Sequence, residues 1–316
     1  MIVLFNSFKS VVPSQPQYSG FNNGYLGYGD TNGNYGSLVT YNRTISFSTD
    51  TESTRTAFAA ARAPQGSSGF SPTSIYHVKG YNAGLVTTVD RVSPITDTSS
   101  TPTIAFTTER RGPCIPLPNY NRNRIFFFGG YSETLAQYRA DTTYITQNTE
   151  TAANGTSIPA ARHLGVNLYT RDNSYLLGGF DSTGATTTTI YKYIMNTDTT
   201  STISTATDTS NAQGYGLSYN SFGYRANGTP ASYNNNKKFT FSTETVAAGT
   251  SGPTAEVLFQ GISTVSLSIG YCWTGYRGVT TNRLYQKLTF ATETWSGDGY
   301  DSGDTNHGWL NAPGGC

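Results

Sequence analysis

The feature that most limits what this chain can fold into is an internal repeat. A short apolar run with a Gly-Gly-aromatic ending, RIFFFGGY from Arg124 to Tyr131, returns about fifty residues later as SYLLGGF, Ser174 to Phe180. The Gly-aromatic pair is a first landmark, at Gly27-Tyr28, Gly80-Tyr81, Gly130-Tyr131, Gly179-Phe180, Gly223-Tyr224 and Gly275-Tyr276. An acid between two threonines is a second, at Asp50, Asp97, Glu150, Asp198, Glu244 and Glu293. A glycine further on is a third: Gly66, Gly112, Gly165, Gly214, Gly261 and Gly308. Three markers recurring six times in one order define six units.

One unit shows what each must be. From Gly165, two short apolar segments flank the turn cluster Arg171-Asp172-Asn173-Ser174, which reads as a hairpin. Gly178 and Gly179 let the backbone approach a neighbour with no Cβ in the way. After a polar loop, Ile190, Tyr191, Tyr193 and Ile194 mark a third strand. Thr197-Asp198-Thr199 fits a turn whose carboxylate is expected to bond nearby backbone N–H groups. A fourth strand follows from Ser201. Four antiparallel strands in units of this length predict an all-β fold, a six-bladed β-propeller. Gly308 opens an extra first strand, and the first unit lacks one. The C-terminal strand is therefore expected to complete the first blade, which removes free sheet edges. Residues 1–17 fall outside the repeat as an N-terminal arm, and residues 18–316 form the propeller.

Composition supports a large core. There are 23 Tyr, 16 Phe and 3 Trp, against 12% charged residues. A net charge of +1 without a basic stripe argues against nucleic-acid binding. No apolar run reaches the length of a membrane span, so no membrane insertion is expected. The opening MIVLF has no basic residue before it and makes a poor secretory signal. Cys114, Cys272 and Cys316 are too few and too widely spaced for a disulfide framework or a zinc site. Lys237-Lys238 is an isolated pair expected to cap a turn. Glu256 to Gly261, EVLFQG, resembles a picornavirus main-protease cleavage sequence. Gly261 is also a repeat landmark, however, and the segment reads as the native approach to a first strand.

The units resemble kelch repeats. That pattern has an apolar strand ending in Gly-Gly, a Tyr-containing strand, an acidic turn followed by Trp, and Pro-x-x-Arg leading into the next unit. Pro159, Arg162, Gly178 and Gly179 stand in that order, with Arg62 and Arg111 at similar places and Tyr285 and Trp295 in the last unit. The resemblance implies a propeller and no particular activity.

Some kelch-like propellers are copper oxidases, which need convergent imidazole and phenolate ligands. The three histidines, His77, His163 and His307, sit at different phases, so no copper site and no catalytic residue is expected. Asp298, Asp301 and Asp304, in SGDGYDSGDTN, have the oxygen ligands for a calcium ion but not the spacing of the helix-loop-helix calcium loop. No other cofactor is implied. Loops after the Gly-aromatic pairs vary from unit to unit and should share one face, where recognition residues concentrate. Asn34, Tyr35, Tyr138, Asp181, Arg225, Tyr233 and Arg277 are the candidate binding residues.

A chain poor in Lys and rich in Thr, Asn, Ser, Gly and Tyr resembles structural proteins of bacteriophages. The expected function is a non-enzymatic virion component, such as a tail, fibre or capsid-surface module. It would join other virion proteins through its arm and bind a host glycan through its loops. The alternative is a bacterial extracellular lectin-like adhesin at the cell surface. A copper oxidase or polysaccharide-active enzyme is the third reading.

Overall fold

The computed structural model describes residues 23–30, 38–46, 48–54, 67–70, 74–81, 85–93, 96–104, 106, 114–119, 123–132, 134–203, 212, 214–226, 228, 236–251, 262–265, 268–273 and 284–300. The described elements are all strands. Sheet 1 holds β1 (Asn23–Asp30), β2 (Leu38–Ser46) and β3 (Glu52–Thr54). Sheet 2 holds β4 (Ser67–Phe70), β5 (Ile75–Tyr81), β6 (Leu85–Ser93) and β7 (Thr98–Ser100). Sheet 3 holds β8 (Cys114–Asn119), β9 (Arg124–Phe128), β12 (Thr142–Thr146) and β13 (Thr151–Gly155). Between its middle strands rises a small hairpin of β10 (Tyr131–Ser132) and β11 (Gln137–Tyr138). Sheet 4 holds β14 (Val166–Tyr169), β15 (Asn173–Leu177), β16 (Ile190–Ile194) and β17 (Thr199–Ile203). Sheet 5 holds β18 (Tyr215–Tyr219), β19 (Phe222–Ala226), β20 (Lys237–Thr240) and β21 (Thr245–Ala248). Sheet 6 holds β22 (Ile262–Val265), β23 (Ile269–Trp273), β24 (Leu284–Thr289) and β25 (Thr294–Tyr300). Strands pair antiparallel in chain order within each sheet.

The four-strand unit read from the sequence is therefore present in five sheets. Sheet 1 has the counterparts of strands two to four: Asn23 pairs with Ser46 ahead of Asp50, as Asn173 pairs with Ile194 ahead of Asp198. The C-terminal strand expected beside β1, and the arm of residues 1–17, lie outside the described residues, as do residues 252–261 with the protease-like sequence. First strands touch in succession, β4 with β8, β8 with β14, β14 with β18 and β18 with β22. β22 in turn touches β1.

The core lies between sheets. Tyr76 and Val89 of sheet 2 pack on Ile125, Phe127 and Ile145 of sheet 3. Phe126 and Phe128 face Leu176, Tyr191 and Tyr193 of sheet 4. Tyr175, Leu177 and Ile190 face Phe239 and Phe241, and Leu217 and Tyr224 face Cys272, Leu288 and Phe290. A middle strand buried on both faces reads as a continuous apolar run, which is why RIFFF and SYLL show no alternation. The fourth strands β13 and β17 are mostly exposed.

Two of the first landmarks are out of phase. Aligned on the acidic turns, the position of Gly179 is held by Gly29, Gly80, Gly130, Gly228 and Gly275. Gly130, Gly179 and Gly228 share left-handed φ values of 109°, 93° and 113°. Gly27 stands two residues early, and Gly223 lies inside β19. Gly223 is there for a different reason: a Cβ on it would lie 2.5 Å from Leu168 Cδ1 of the neighbouring sheet.

The acidic turns do more than close hairpins. All six acids adopt left-handed φ between 49° and 57°, a conformation that costs a residue with a Cβ roughly 1–2 kcal/mol. In each turn the flanking threonine hydroxyls bond one another at 2.6–2.8 Å. The carboxylates do not go to N–H groups of their own turns as the sequence suggested; four of the six reach a phenol and a cation of the preceding sheet. Glu150 accepts from Tyr76 Oη at 3.2 Å and pairs with Arg91 at 2.5 Å. Glu244 does the same with Tyr175 at 3.2 Å and Lys192 at 2.5 Å. Glu293 takes Tyr224 at 3.2 Å and Lys238. Asp50 takes Tyr271 and, at 2.6 Å, Lys287, so the same bond joins sheet 6 to sheet 1.

The two remaining junctions differ. Sheet 3 has Phe126 in the tyrosine position. Asp198 instead accepts from Tyr193 of its own sheet and from the N–H of Thr156 at 3.1 Å. Asp97 has no side-chain partner among the described residues. Thr44 occupies the register position that Arg91, Lys192, Lys238 and Lys287 fill elsewhere.

Magnitudes decide which part of this contact matters. Partly exposed ion pairs contribute at most about 1 kcal/mol, whereas stranding a buried phenol costs about 1–3 kcal/mol. Tyr76, Tyr175, Tyr224 and Tyr271 are all buried. Burial, then the nearby Glu244 carboxylate, push the Tyr175 phenol well above its ordinary pKa, so it remains a donor. Glu244→Ala should cost about 2 kcal/mol by stranding Tyr175. Glu244→Gly loses the same bonds but relieves roughly 1 kcal/mol of left-handed strain, and should be the milder variant. Urea midpoints compare them; equal midpoints would remove strain from the account.

Asp50 gives the junctions a pH dependence. Desolvation raises its pKa, but the hydrogen bonds from Lys287 and Tyr271 outweigh it and hold the carboxyl below its ordinary value. Its contribution is then complete above the unfolded value of about 4 and lost as pH falls through the lowered one. The melting-temperature gap between wild type and Asp50→Asn should be widest near neutrality and close at low pH. A gap constant from pH 7 to 3 would show that the bond does not stabilise the fold.

Candidate functional site

Antiparallel order puts the second-to-third loops and the links between sheets at one end of the strands. The acidic turns are at the other. At the loop end of sheets 3 and 4 the backbone is tightly stitched. Gly130 N–H donates to Arg162 O at 2.7 Å, and Arg162 N–H to Arg139 O at 3.0 Å. His163 exchanges bonds with Phe180, at 3.1 and 2.8 Å. The link therefore fixes itself to sheet 3 through Arg162 and to sheet 4 through His163. This explains the Gly-Gly ending: Gly129 has φ 62°, and a Cβ there would sit 2.3 Å from Arg162 O. The Arg162 side chain is buried, bonding Tyr191 Oη and Ala161 O at 2.8 Å each, with its guanidinium 4.6 Å from the Tyr191 ring centroid.

Four rings gather over this seam. Tyr131 and Tyr138 are cross-strand partners in the β10–β11 hairpin, edge to face at 5.1 Å. His163 lies 5.7 Å from Tyr138, 6.2 Å from Tyr131 and 6.2 Å from Phe180. Tyr131, Tyr138 and Phe180 are half-buried and His163 is buried. At the hairpin tip Leu135 is 50% exposed, the one large exposed apolar side chain among the described residues. Beside the rings, Asp181 closes its own loop: Oδ1 accepts Thr183 N–H at 2.8 Å, the Thr183 hydroxyl at 2.6 Å and Ala185 N–H at 3.2 Å. The Thr183 bonds hold its carboxyl below the usual carboxylate range. Gly184 of the same loop abuts Tyr138: a Cβ there would lie 3.3 Å from the phenol oxygen.

Of the sequence candidates, Tyr138 and Asp181 are thus brought together at one junction. Arg225 is not a loop residue. It lies inside β19, fully buried, and pairs in register with Lys237, also buried. Both face sheet 4 rather than solvent. Lys237 and Lys238 likewise belong to β20 instead of capping a turn. Asn34, Tyr35, Tyr233 and Arg277 lie outside the described residues. Asp298 falls within β25; Asp301 and Asp304 lie outside the described residues. Among the described residues no three of His, Cys, Asp and Glu converge. Sequence reasoning missed Tyr131, His163 and Phe180 as members of this patch. Tyr131 and Phe180 are themselves landmark aromatics, and their recurrence at one phase was the available signal.

No protein-family model matches the chain, and no curated protein matches it by sequence. Among solved structures, that of YjhT superposes on 87% of this chain and 94% of its own, with a TM-score of 0.69 and 13% identity. That likeness is one of fold alone.

The burial of Arg225 makes a definite prediction. Arg225→Ala should destabilise the protein by about 3 kcal/mol, through the cavity left by a large, fully buried side chain. Chemical denaturation measures this, and a change within about 0.5 kcal/mol would return Arg225 to the surface.

Proposed function

We propose that the six sheets form a closed, kelch-like six-bladed propeller whose C-terminal strand completes sheet 1. We further propose that it serves as a non-enzymatic recognition module of a phage virion. The observation that carries this reading is the Asp50 contact with Tyr271 and Lys287, which joins the last sheet to the first by the same chemistry that joins sheet 4 to sheet 5. A ring tied in this way is a rigid support, and rigid supports with variable loops on one end suit binding. The half-exposed rings of Tyr131, Tyr138 and Phe180, with Asp181 beside them, supply stacking faces and a fixed acceptor for a host glycan. The weakly charged, Thr- and Asn-rich composition supports a virion setting. In that setting the arm, residues 1–17, joins another virion protein, its MIVLF adding a strand to the partner's sheet.

Removing residues 1–17 should leave a folded protein with unchanged melting behaviour that no longer enters particles. A truncated chain that still incorporates would refute the anchoring role.

A further inference from the structure

We infer that the ring patch over the junction of sheets 3 and 4 is a subsite for a neutral pyranose, stacked on Tyr138 and hydrogen-bonded to Asp181. The inference rests on the reading of the loop end as the recognition face, and it names the ligand class. Aromatic faces with a few fixed polar groups suit a ligand that is apolar on one side and hydroxylated at its edge. The patch has that make-up. Tyr138 is steadied by Tyr131 and His163, and exposed Ser182 and Thr183 stand beside Asp181.

Charge selects among sugars. Asp181 is held in one direction by three bonds to its Oδ1, so its carboxylate is a pre-set acceptor that repels anions. The nearby cations are committed. Arg139 pairs with Asp141 at 2.9 Å, and Arg162 is buried against Tyr191 and its neighbouring carbonyl. An acidic sugar meets a carboxylate here and no available cation among the described residues of the patch. Arg225, which would have favoured an anionic ligand as a loop residue, is buried within sheet 5.

The test is saturation-transfer NMR on the full-length chain with methyl β-galactoside, methyl α-glucoside and N-acetylneuraminic acid. At least one neutral glycoside should bind, and N-acetylneuraminic acid should not. Tyr138→Ala should weaken the neutral ligand about tenfold, as loss of one stacking partner implies, while Tyr138→Phe should stay within about threefold. Asp181→Asn, which keeps an acceptor but removes the charge, should admit the acidic sugar, and it serves as a second probe if Tyr138→Ala fails to fold. Preference of the wild type for the acidic sugar, or neutral binding indifferent to Tyr138→Ala, overturns the inference. A chain that enters particles yet binds none of the three sugars overturns it too, and leaves the virion reading standing.

Discussion

A phenol buried between two sheets must find an acceptor, and much of this architecture follows from that requirement. Middle strands are packed on both faces, and the phenols of Tyr76, Tyr175, Tyr224 and Tyr271 each donate to the acid in the turn of the following sheet. The acceptor has to be an acid on a short tether, and the turn places it in a left-handed conformation that Gly would occupy more easily. The strain is local and the gain is between sheets. Sheet 3 shows the constraint by its exception. When Phe126 removes the hydroxyl on one side, Tyr193 supplies one from the other, and Asp198 is still satisfied.

The same packing rule accounts for what the sequence disclosed and what it hid. Continuous apolar runs, Gly endings and Thr-flanked acids follow from burial on both faces, close backbone approach and bridging turns, so the four-strand unit was legible. Phase was harder. Gly223 met the landmark by residue type while serving a packing role against Leu168, and the true counterpart, Gly228, lacked the aromatic neighbour that would have marked it. The purpose of the acids was also hidden, because a carboxylate in a turn reads as a local cap when the partner lies some fifty residues or more away in the chain.

Site residues fared differently for a related reason. The loop placement of Tyr138 and Asp181 was legible because they follow a landmark that ends a strand. Arg225 follows a false one, and a cation after an apolar pair gives no warning that its strand continues through it. His163 could be weighed from sequence only as an isolated metal ligand. Its place among Tyr131, Tyr138 and Phe180 depends on a link that crosses from one sheet to the next, and no periodicity encodes that crossing.

The contact at Asp50 has an order in time as well as in space. Its partners Tyr271 and Lys287 lie 221 and 237 residues downstream. A ribosome therefore delivers the strained acid long before the groups that hold it. Each other bridged turn meets its partners as soon as its own sheet emerges, because they belong to that sheet or the one just made. The other bridges therefore span neighbouring sheets in the chain, and only this one spans the described sheets from first to last. That fastening spans more than two hundred residues of chain, so it cannot form until the strands carrying Tyr271 and Lys287 have been made.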